Sequence, residues 1–573
     1  MSKDFLALFD QTNSIRNENT DEIIITSPLI KADGTYEISV PITITSNCNT
    51  LIKCEVIEVL CSLVTFSNLS IDGNIIAQKA NNFTIDNCKL KCTEQNADAI
   101  ITVKSSSNVC ITNSEIKEAE EMIGVYIKEK SIVKIDKTEL SHISESIVVV
   151  RSESSLYLTN SKIHHSKSNG IYSKDTNYIE VTECIISDTA YPLVYLNDSR
   201  AIIKNNIFER SGQNGISFNS CPYFRVESNQ FKSIQGTAIT ALAESVGSIR
   251  QNSFSKINGN ATFSDLSEVE IYDNKINNQS YPAIAVTNNS IVRIHDNEIE
   301  KIEYNGIALR NAKFVKIYNN KVNSIGECGI SIKNTEKTIV ENNVITDCLT
   351  AVESYNHSNS FVRNNKISNM RENAFLCYAC GYIKAEKNEI ENIGQSMTKL
   401  VFKGHGDFIN NQIKNCKNQC ENLTSNSYYY KGNGNFPGLT NNREKIDENI
   451  VFDKVEQTNK SVLCLKCKKN KRNCYLLECG HMVYCKECAD DSCQKMEKCP
   501  LCRFPIEKVS KGFGMNNDEK CLICYEKDPD SIILPCGHTG ICSSCLDNWF
   551  KNQKTCPCCR AEDSSYKRIE SDI

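Results

Sequence analysis

Asparagine repeats along this chain at an interval of 22 or 23 residues, and this repeat limits the possible folds more than any other feature. It lies in a six-residue pattern: apolar, any residue, often Asn or Asp, then Asn, any residue and apolar. The asparagine occupies ten successive positions: Asn206, Asn229, Asn252, Asn274, Asn297, Asn320, Asn343, Asn365, Asn388 and Asn411. Ser161 and Cys184 take its place upstream, and a looser pattern extends back to about residue 64. The chain thus contains roughly fifteen copies of one unit.

Each unit contains two short apolar stretches rich in Ile, Val and Phe, with Lys, Glu and Arg at alternate positions. This alternation is typical of a strand with one buried face. A short fixed period with two strands per unit predicts a solenoid of stacked coils, so the chain is expected to be mainly β. Leucine-rich repeats have a similar period, but neither regularly placed leucines nor a helical arm is evident.

The second stretch of the unit often follows a glycine, as at Gly170, Gly215, Gly306 and Gly329. Glycine adopts a positive φ without steric cost. The pattern therefore predicts a left-handed turn at these glycines before the chain re-enters a strand.

The repeats resemble the right-handed parallel β-helix of pectin-degrading enzymes (the pectin-lyase fold) and of the substrate-binding part of some F-box proteins. In that family, stacked asparagines form ladders, and each amide hydrogen-bonds the coils on either side. The resemblance implies β-helix repeats over residues 41–420. An open β-helix exposes an apolar end and unpaired strand edges, so residues 1–40 are expected to form an N-terminal cap. The period ends at residues 421–463, which are expected to be a cap or linker.

The segment 404–406, Gly-His-Gly, resembles a short histidine motif of polygalacturonases. Other parts of that family's signature are absent from the repeats, which contain no Asn-Thr-Asp, no paired Asp-Asp and no Arg-Ile-Lys. Glycosidic cleavage also needs two carboxylates at a defined separation, and the acidic residues are spread over every coil. The β-helix is therefore not expected to be a glycosidase or lyase.

Cysteine is concentrated at the C-terminal end, where seventeen of the 31 cysteines lie in the last 110 residues. The first ten residues contain an apolar run of only five, shorter than the about 7–15 apolar residues of a secretory signal. Without an export signal, dense cysteine at metal-ligand spacing indicates zinc rather than disulfides. Scattered cysteines such as Cys88 and Cys184, within strand-like segments, are expected to be small buried apolar residues.

The C-terminal cysteines form two sets with one spacing, and adding 57 to each residue number of the first set gives the second. The first set, in module 464–510, is Cys464, Cys467, Cys479, His481, Cys485, Cys488, Cys499 and Cys502. The second set, in module 521–563, is Cys521, Cys524, Cys536, His538, Cys542, Cys545, Cys556 and Cys559. The offset pairs the remaining cysteines with residues that are not ligands, so these are not expected to bind metal: Cys474, Cys493 and Cys558.

Thiolates and a neutral imidazole suit the tetrahedral preference of zinc. A module of this size has too little apolar core to fold without such a site. Eight ligands per set predict two zinc ions per module, and hence four in the chain.

The order of the ligands, seven cysteines with histidine fourth, resembles the RING finger family of the C3HC4 type. LIM-type and plant-homeodomain-type fingers place the histidine elsewhere. The family's cross-brace implies two small α+β modules in which ligand pairs one and three share one ion and pairs two and four share the other. The spacing alone leaves that pairing open.

RING ubiquitin ligases hold a ubiquitin-charged conjugating enzyme (E2) and form no covalent intermediate themselves. The resemblance implies four residues of the second module that contact the E2 or ubiquitin: Ile523, Trp549, Pro557 and Arg560. Ile523 offers apolar surface, and Trp549 is the only tryptophan of the chain. Arg560 resembles the linchpin that hydrogen-bonds both E2 and ubiquitin, a role that its forked donors suit.

The first module departs from this pattern, because Lys466 and Ser492 stand where the second has Ile523 and Trp549. A lysine in the contact groove offers no apolar surface and costs desolvation. Residues 499–506 resemble RINGs of the inhibitor-of-apoptosis type, some of which dimerise. The first module is therefore expected to be structural or to assist the second.

These features predict a RING-type E3 ubiquitin transferase that binds an E2 through its second RING and recruits an unknown protein substrate through the β-helix. The alternative is a non-catalytic zinc-binding scaffold or a glycan-binding β-helix protein. The net charge of −5 and pI of about 6.0 give no sign of the excess of basic residues that is typical of a nucleic-acid-binding protein. No apolar run reaches the about 18 residues of a membrane span. Neither nucleic acid nor membrane is expected as a partner, and the protein is expected in the cytoplasm or nucleus.

Overall fold

The computed structural model divides the chain into two units, residues 1–442 and 443–573. In the first unit the structure describes residues 3–10, 12–17, 21–94, 96–379, 381–422 and 428–431. In the second it describes residues 464, 466–467, 469–470, 474–476, 482–495, 509–511, 524, 531–534, 542–553, 555 and 565–568. None of the helices in these stretches is long and apolar enough to cross a bilayer.

The first unit is a β-solenoid of about 17 turns, close to the number of repeats counted in the sequence. Each coil contributes strands to three parallel sheets, which we name faces A, B and C in the order in which the chain crosses them. One coil illustrates this order, with strands Glu268–Tyr272 on face A, Lys275–Gln279 on face B and Ile284–Thr287 on face C. Every strand of this coil pairs in parallel with its equivalents one coil before and after.

Strands that belong to one face alone are short. Face A has Glu22–Ile25, Ile42–Ser46, Val64–Ser67, Thr84–Asp86, Val109–Thr112, Ile132–Asp136, Ser155–Thr159, Tyr223–Glu227, Val246–Arg250, Glu268–Tyr272, Ile291–His295, Phe314–Tyr318, Lys337–Glu341, Asn359–Arg363, Tyr382–Glu386, His405–Ile409 and Tyr428–Lys431. Face B has Leu29–Lys31, Lys89–Cys92, Glu115–Ala119, Glu139–Ile143, Lys162–Ser166, Ile185–Thr189, Ile207–Ser211, Gln230–Ile234, Ser253–Ile257, Lys275–Gln279, Glu298–Ile302, Lys321–Ile325, Val344–Thr346 and Lys366–Met370. Face C has Lys3–Asp4, Thr35–Ile38, Ala99–Lys104, Ile123–Lys128, Val148–Arg151, Ile216–Asn219, Ile239–Leu242, Thr262–Asp265, Ile284–Thr287, Ile307–Arg310, Cys328–Lys333, Thr350–Tyr355 and Asn373–Tyr378.

Longer strands bend from one face to the next, namely Leu51–Val59, Ser70–Gln78, Ile171–Thr182, Val194–Lys204, Glu389–Val401 and Gln412–Asn422. Along every face the side chains alternate between the interior and the surface, as period-2 patterning requires. In Glu268–Tyr272, for example, Val269 and Ile271 are buried and Glu268 is exposed. The interior is one continuous apolar core that includes a stack of Phe208, Phe231 and Phe254, with adjacent ring centroids 5.0 Å apart.

The repeated asparagines lie at the turn from face A to face B and form the ladder that the resemblance implied. All ten are at most 2% exposed. Asn320 is representative: its Nδ2 donates to the carbonyl of Ile294 in the preceding coil and to Oδ1 of Asn343 in the next. Its own Oδ1 accepts from Nδ2 of Asn297 at 2.9 Å. Each side chain therefore satisfies buried polar groups of both neighbouring coils.

The prediction of left-handed turns at Gly170, Gly215, Gly306 and Gly329 is wrong, because only Gly34 and Gly73 have positive φ among the described glycines. The reason for glycine is a close approach between coils. A Cβ on Gly215 would lie 2.5 Å from the carbonyl oxygen of Ala238 in the next coil, well inside van der Waals contact. The left-handed positions of each coil are instead held by residues such as Asp273 and Asn319, immediately before the ladder asparagines.

Both ends of the solenoid reach past the expected limits of the repeats. Strands within residues 22–38 pair in parallel with the following coil, so part of the segment expected to be a cap forms a coil itself. Ahead of it, a short 3₁₀ turn, Phe5–Leu8, buries Phe5 against the core, and Ser14–Asn17 pairs antiparallel with the first strand of face A. At the other end, Tyr428–Lys431 pairs in parallel with Gly406–Ile409.

The isolated cysteines Cys88 and Cys184 are each 1% exposed, as predicted. Burial raises the pKa of the Cys88 thiol to about 11 and that of Cys184 to about 12. Both side chains are therefore neutral, unreactive parts of the core.

The second unit contains two small modules of similar design. In the first, strands Met482–Tyr484, Cys474–Leu476 and Val509–Lys511 form an antiparallel sheet, accompanied by helix α1, Lys486–Gln494. In the second, Ser531–Leu534 pairs antiparallel with Ser565–Arg568, accompanied by helix α2, Ser543–Asn552. The two helices begin 57 residues apart, so the offset of the ligands is repeated in the structure.

Candidate metal centres

Four cysteines of the first module converge on one point. Cys464 and Cys467 belong to the first pair of the ligand set, Cys485 precedes helix α1, and Cys488 lies in its first turn. Their four sulfur atoms all lie within 4.8 Å of one another. The structure thus brings together the first and third ligand pairs, which are separated in sequence by 18 residues between Cys467 and Cys485.

The spacing of these sulfurs fits a tetrahedral zinc ion. Sγ of Cys467 and Sγ of Cys485 are 3.9 Å apart. A zinc ion with four sulfurs at about 2.3 Å requires sulfur–sulfur distances of about 3.8 Å, whereas a disulfide requires about 2.05 Å. Four soft thiol donors with no hard oxygen ligand are also the donor set that favours zinc over magnesium or calcium.

The local backbone favours a thiolate at Cys467. Backbone N–H groups of Asn470 and Lys469 lower the pKa of the Cys467 thiol to about 6. Burial raises the pKa of the Cys485 thiol, and the backbone N–H of Cys488 offsets only part of that rise. The thiolate is the form that ligates a metal, so the turn after Cys467 prepares that sulfur for zinc.

The second module repeats this arrangement with Cys524, Cys542 and Cys545. Their three sulfurs also lie within 4.8 Å of one another, and Sγ of Cys524 is 3.9 Å from Sγ of Cys542. Cys542 precedes helix α2, as Cys485 precedes helix α1. The three cysteines correspond to Cys467, Cys485 and Cys488 of the first module through the offset of 57.

The other predicted site residues lie outside the described part of the chain. Among the predicted ligands these are Cys479, His481, Cys499, Cys502, Cys521, Cys536, His538, Cys556 and Cys559. Among the predicted E2 and ubiquitin contacts they are Ile523, Pro557 and Arg560.

Trp549 is the predicted contact residue that the structure describes. It lies in the last turn of helix α2 and is partly exposed. Its indole Nε1 donates a hydrogen bond of 2.7 Å to the carbonyl oxygen of Thr555. This bond satisfies the polar edge of the ring and restrains its orientation.

The equivalent position in the first module is polar and closed. Nζ of Lys466 donates to Oδ2 of Asp491 at 2.8 Å and to Oγ of Ser492 at 2.9 Å. Ser492 occupies the position of Trp549 and is 0% exposed. Lys466 and then Lys495 lower the pKa of the Asp491 carboxyl, so the pair is ionised at neutral pH. A hydrogen-bonded ion pair therefore lies at the position where the second module has Trp549.

Asp491 is a residue whose part in this site sequence reasoning missed. The offset of 57 aligns it with Asn548. The first module thus has Lys466 where the second has Ile523, and it also has the carboxylate of Asp491 where the second has the amide of Asn548. Comparison of the two modules at that position supplies the signal.

The chain belongs to the right-handed β-helix family: the family model described as "Right handed beta helix region" matches residues 123–276, 193–334 and 305–449. The model for the C3HC4-type RING zinc finger matches twice, over residues 460–509 and 517–566. The second unit is thus a tandem pair of RING fingers, and these fingers and their cysteine clusters make the chain a zinc-binding protein.

Two curated relatives each match about a tenth of the chain. The chain is similar to "E3 ubiquitin ligase BIG BROTHER-related" of Arabidopsis thaliana, 41% identical over 69 residues, 11% of this chain and 20% of the relative. It is similar to "E3 ubiquitin-protein ligase NEURL3" of Rattus norvegicus, 37% identical over 57 residues, 10% of this chain and 20% of the relative. The chain therefore spans about a fifth of the length of these relatives.

Among solved structures, the chain is similar to that of the periplasmic alginate epimerase AlgG, at 9% identity and a TM-score of 0.29, over 55% of this chain and 84% of the other. A likeness this slight has no bearing on activity.

Proposed function

We propose that this chain is a RING-type E3 ubiquitin ligase that binds a ubiquitin-charged E2 through its second RING and recruits a protein substrate through its β-helix. The observation that carries the proposal is the contrast between Trp549, a partly exposed aromatic bonded to Thr555, and the Lys466–Asp491 ion pair with Ser492 in the first module. The names of the two relatives support ubiquitin transfer.

We further propose that all sixteen predicted cysteines and histidines bind zinc, two ions to each module and four in total. The converging sulfurs of Cys464, Cys467, Cys485 and Cys488 support the cross-braced pairing. In that pairing Cys521 completes the cluster of the second module, and the second and fourth ligand pairs form the remaining centres. Zinc would fix the two loops of each module as one rigid platform.

In the second module, the roles of the protein residues are to bind and to orient. Ile523 and Trp549 would supply apolar surface for the E2, and Pro557 would also contact the E2 or ubiquitin. Arg560 would hydrogen-bond the E2 and ubiquitin at once and hold the reactive ester in a productive orientation. Such positioning lowers the barrier without a covalent intermediate on this chain.

In the first module, a bound E2 would have to displace or desolvate the Lys466–Asp491 ion pair. Separating a hydrogen-bonded charge pair without replacing its partners is unfavourable. We therefore propose that the first RING supports the second structurally and does not itself hold the charged E2.

The test is autoubiquitination by the full chain, with E1, a panel of E2 enzymes and ubiquitin, using matched substitutions in the two modules. Ile523→Ala is expected to abolish chain formation with the zinc content unchanged, whereas Lys466→Ala is expected to have little effect. If Lys466→Ala abolishes activity and Ile523→Ala does not, the two modules have the opposite roles. If the wild-type chain neither binds any E2 nor forms ubiquitin chains, a non-catalytic scaffold is the better description.

A further inference from the structure

Four cations of face C stand in line across four successive coils. Lys104, Lys128, Arg151 and Lys174 occupy one register position of the parallel sheet. Because neighbouring parallel strands are about 4.8 Å apart, the four charges span about 14 Å along the solenoid. We name these four residues the cation strip.

The charges of the cation strip are not paired within the fold. Some other cations of the solenoid meet carboxylates, as Arg250 meets Glu227 and Lys316 meets Glu341, both at 2.6 Å. Within the described residues, none of the four strip cations forms an ion pair. Arg151 and Lys174 are exposed, so their charges are available to a partner in solution.

An apolar platform lies beside the cation strip, two residues earlier on the strands of face C, and the two share the strands of Lys128, Arg151 and Lys174. Tyr126, Val149, Tyr172 and Tyr195 occupy successive coils there. Tyr172 and Tyr195 stack with their ring centroids 5.5 Å apart and their planes within 10°. Val149 points away from the core, yet it is only 5% exposed because larger side chains flank it. The platform is a surface rather than part of the core.

The strip and the platform are in contact. Nζ of Lys128 lies 4.7 Å from the ring centroid of Tyr126, and the guanidinium of Arg151 lies 5.4 Å from that of Tyr172. These cation–π contacts hold the charged groups at the edge of the aromatic surface. A ligand on this surface would meet apolar rings and, directly beside them, positive charge.

We propose that face C binds an extended acidic peptide segment of a partner protein, with apolar side chains on the tyrosine platform and carboxylates on the cation strip. Side chains of an extended peptide point alternately to two sides. A segment that runs along the solenoid can therefore place the side chains of one side on the platform. The carboxylates on its other side can then point toward the cation strip.

Neighbouring charges favour a peptide over a nucleic acid. The turn that follows the strip contains the carboxylates of Glu129, Glu153 and Asp175, and Glu153 pairs with Lys130 at 3.4 Å. A polyphosphate backbone would bring negative charge to the carboxylates of this turn as well as to the cation strip. A peptide of mixed sequence can place its acidic side chains on the strip alone. The net charge of −5 likewise disfavours a polyanion as long as a nucleic acid.

In its biological role this inference rests on the proposed function, because it names the class of substrate segment that the β-helix would recruit. The binding itself requires neither E2 nor ubiquitin. The full chain is titrated into a fluorescein-labelled dodecapeptide of three Asp-Phe-Asp-Ser units, and fluorescence anisotropy is measured at low and at high salt. The matched control probe has lysine in place of every aspartate.

The acidic probe is expected to bind, more weakly as salt screens the charges, and the lysine probe is expected not to bind. Arg151→Glu with Lys174→Glu should weaken binding about tenfold or more, because two attractions become repulsions. The same change on exposed lysines of other coils, Lys232→Glu with Lys256→Glu, should leave binding within about twofold. Tyr172→Ala should weaken binding, and Tyr223→Ala on face A should not.

Three results would overturn the proposal: no binding of the acidic probe, equal loss with the control pair, or tighter binding of a single-stranded oligonucleotide or a sulfated oligosaccharide. Thermal unfolding of each variant identifies any loss caused by misfolding. Autoubiquitination by the Arg151→Glu, Lys174→Glu chain is measured in parallel, since it should be unchanged. Failure of peptide binding with normal autoubiquitination would reject this inference alone, and the reverse would reject the ligase proposal alone.

Discussion

Nζ of Lys466 donates a hydrogen bond to Oγ of Ser492 at 2.9 Å, and both residues are replaced by apolar ones at the equivalent places in the second RING. The two positions lie 26 residues apart in the chain, and in the first RING a hydrogen bond joins them. We propose that the first RING presents an ion pair where the second presents apolar side chains, and that difference is the basis for the first prediction.

Removing the aromatic ring of the second RING should cost far more activity than changing its counterpart in the first. We expect Trp549→Ala to lower the rate of ubiquitin chain formation at least tenfold, because a buried aromatic anchor at an interface is worth about 2 kcal/mol or more. Ser492→Ala should leave the rate within about twofold. Equal losses from the two substitutions, measured by initial rates with one E2, would contradict the proposed asymmetry.

Zinc stoichiometry distinguishes ligands from bystanders. The purified chain is expected to contain four zinc ions by elemental analysis, and Cys485→Ser is expected to lower the content to three, because one centre loses a thiolate. Cys493→Ser is the matched control and should leave four ions. Cys493 lies in helix α1, which begins directly after Cys485, but it is outside the sulfur cluster. Loss of an ion from the Cys493 variant would show that the offset of 57 misassigns the ligands.

The asparagine ladder should be a large contributor to the stability of the solenoid. Asn320→Ala removes hydrogen bonds to Ile294 and Asn343 and leaves buried partners unsatisfied. We expect a loss of roughly 2–4 kcal/mol in the free energy of unfolding, measured by chemical denaturation. Asn277→Ala, at a partly exposed position of face B, serves as the control and should cost less than about 1 kcal/mol.

The glycines of the repeats allow a test between two physical explanations. If close approach of the next coil is the reason for glycine, Gly215→Ala should destabilise the solenoid by about 1–3 kcal/mol, because its Cβ would meet the carbonyl of Ala238. Gly215→Asn should be at least as harmful. A left-handed turn predicts the opposite order, since asparagine tolerates positive φ. Denaturation midpoints of the two variants decide between these explanations.

Stability should depend on acid pH through Glu227. Burial raises the pKa of this carboxyl, but Arg250, Lys204 and Arg225 lower it further, so that its pKa in the folded state is below the ordinary 4.5. A lowered pKa means that the unfolded chain binds the proton more readily. The stabilisation is therefore present above about pH 4.5 and is lost as the pH falls below it. The difference in unfolding free energy between wild type and Glu227→Gln should shrink from pH 7 to pH 3, as measured by chemical denaturation at the two pH values.

The fold could be predicted where the sequence repeats. Features that depend on contacts between neighbouring repeats could not. The spacing of Asn206 to Asn411 indicates a solenoid, because a ladder requires one asparagine per coil at the same place. The reason for Gly215 was not accessible, because it depends on how near the carbonyl of Ala238 approaches. The cation strip has the period of the solenoid, yet charged residues occur on every coil. The register of face C is needed to show that Lys128, Arg151 and Lys174 share one column.

The same contrast holds in the RING fingers. The offset of 57 identifies Cys464, Cys467, Cys485 and Cys488 as ligands, because duplication preserves their spacing. That their sulfurs share one centre, rather than forming two sequential sites, depends on the turn before helix α1 and is visible only in three dimensions. The bond from Lys466 to Asp491 is likewise a contact between distant residues that spacing does not reveal.

Outside its own coil, a ladder asparagine such as Asn320 binds the coil before it and the coil after it, which makes the coils interchangeable units. A chain that lacked residues 297–319 would bring Asn320 next to Asn274 and recreate the same hydrogen bonds one turn shorter. Length can therefore change by whole coils through duplication or loss of a segment of 22 or 23 residues, without a new kind of contact. The distance between the two ends of the solenoid is thus open to evolutionary adjustment, while the chemistry of each turn stays the same.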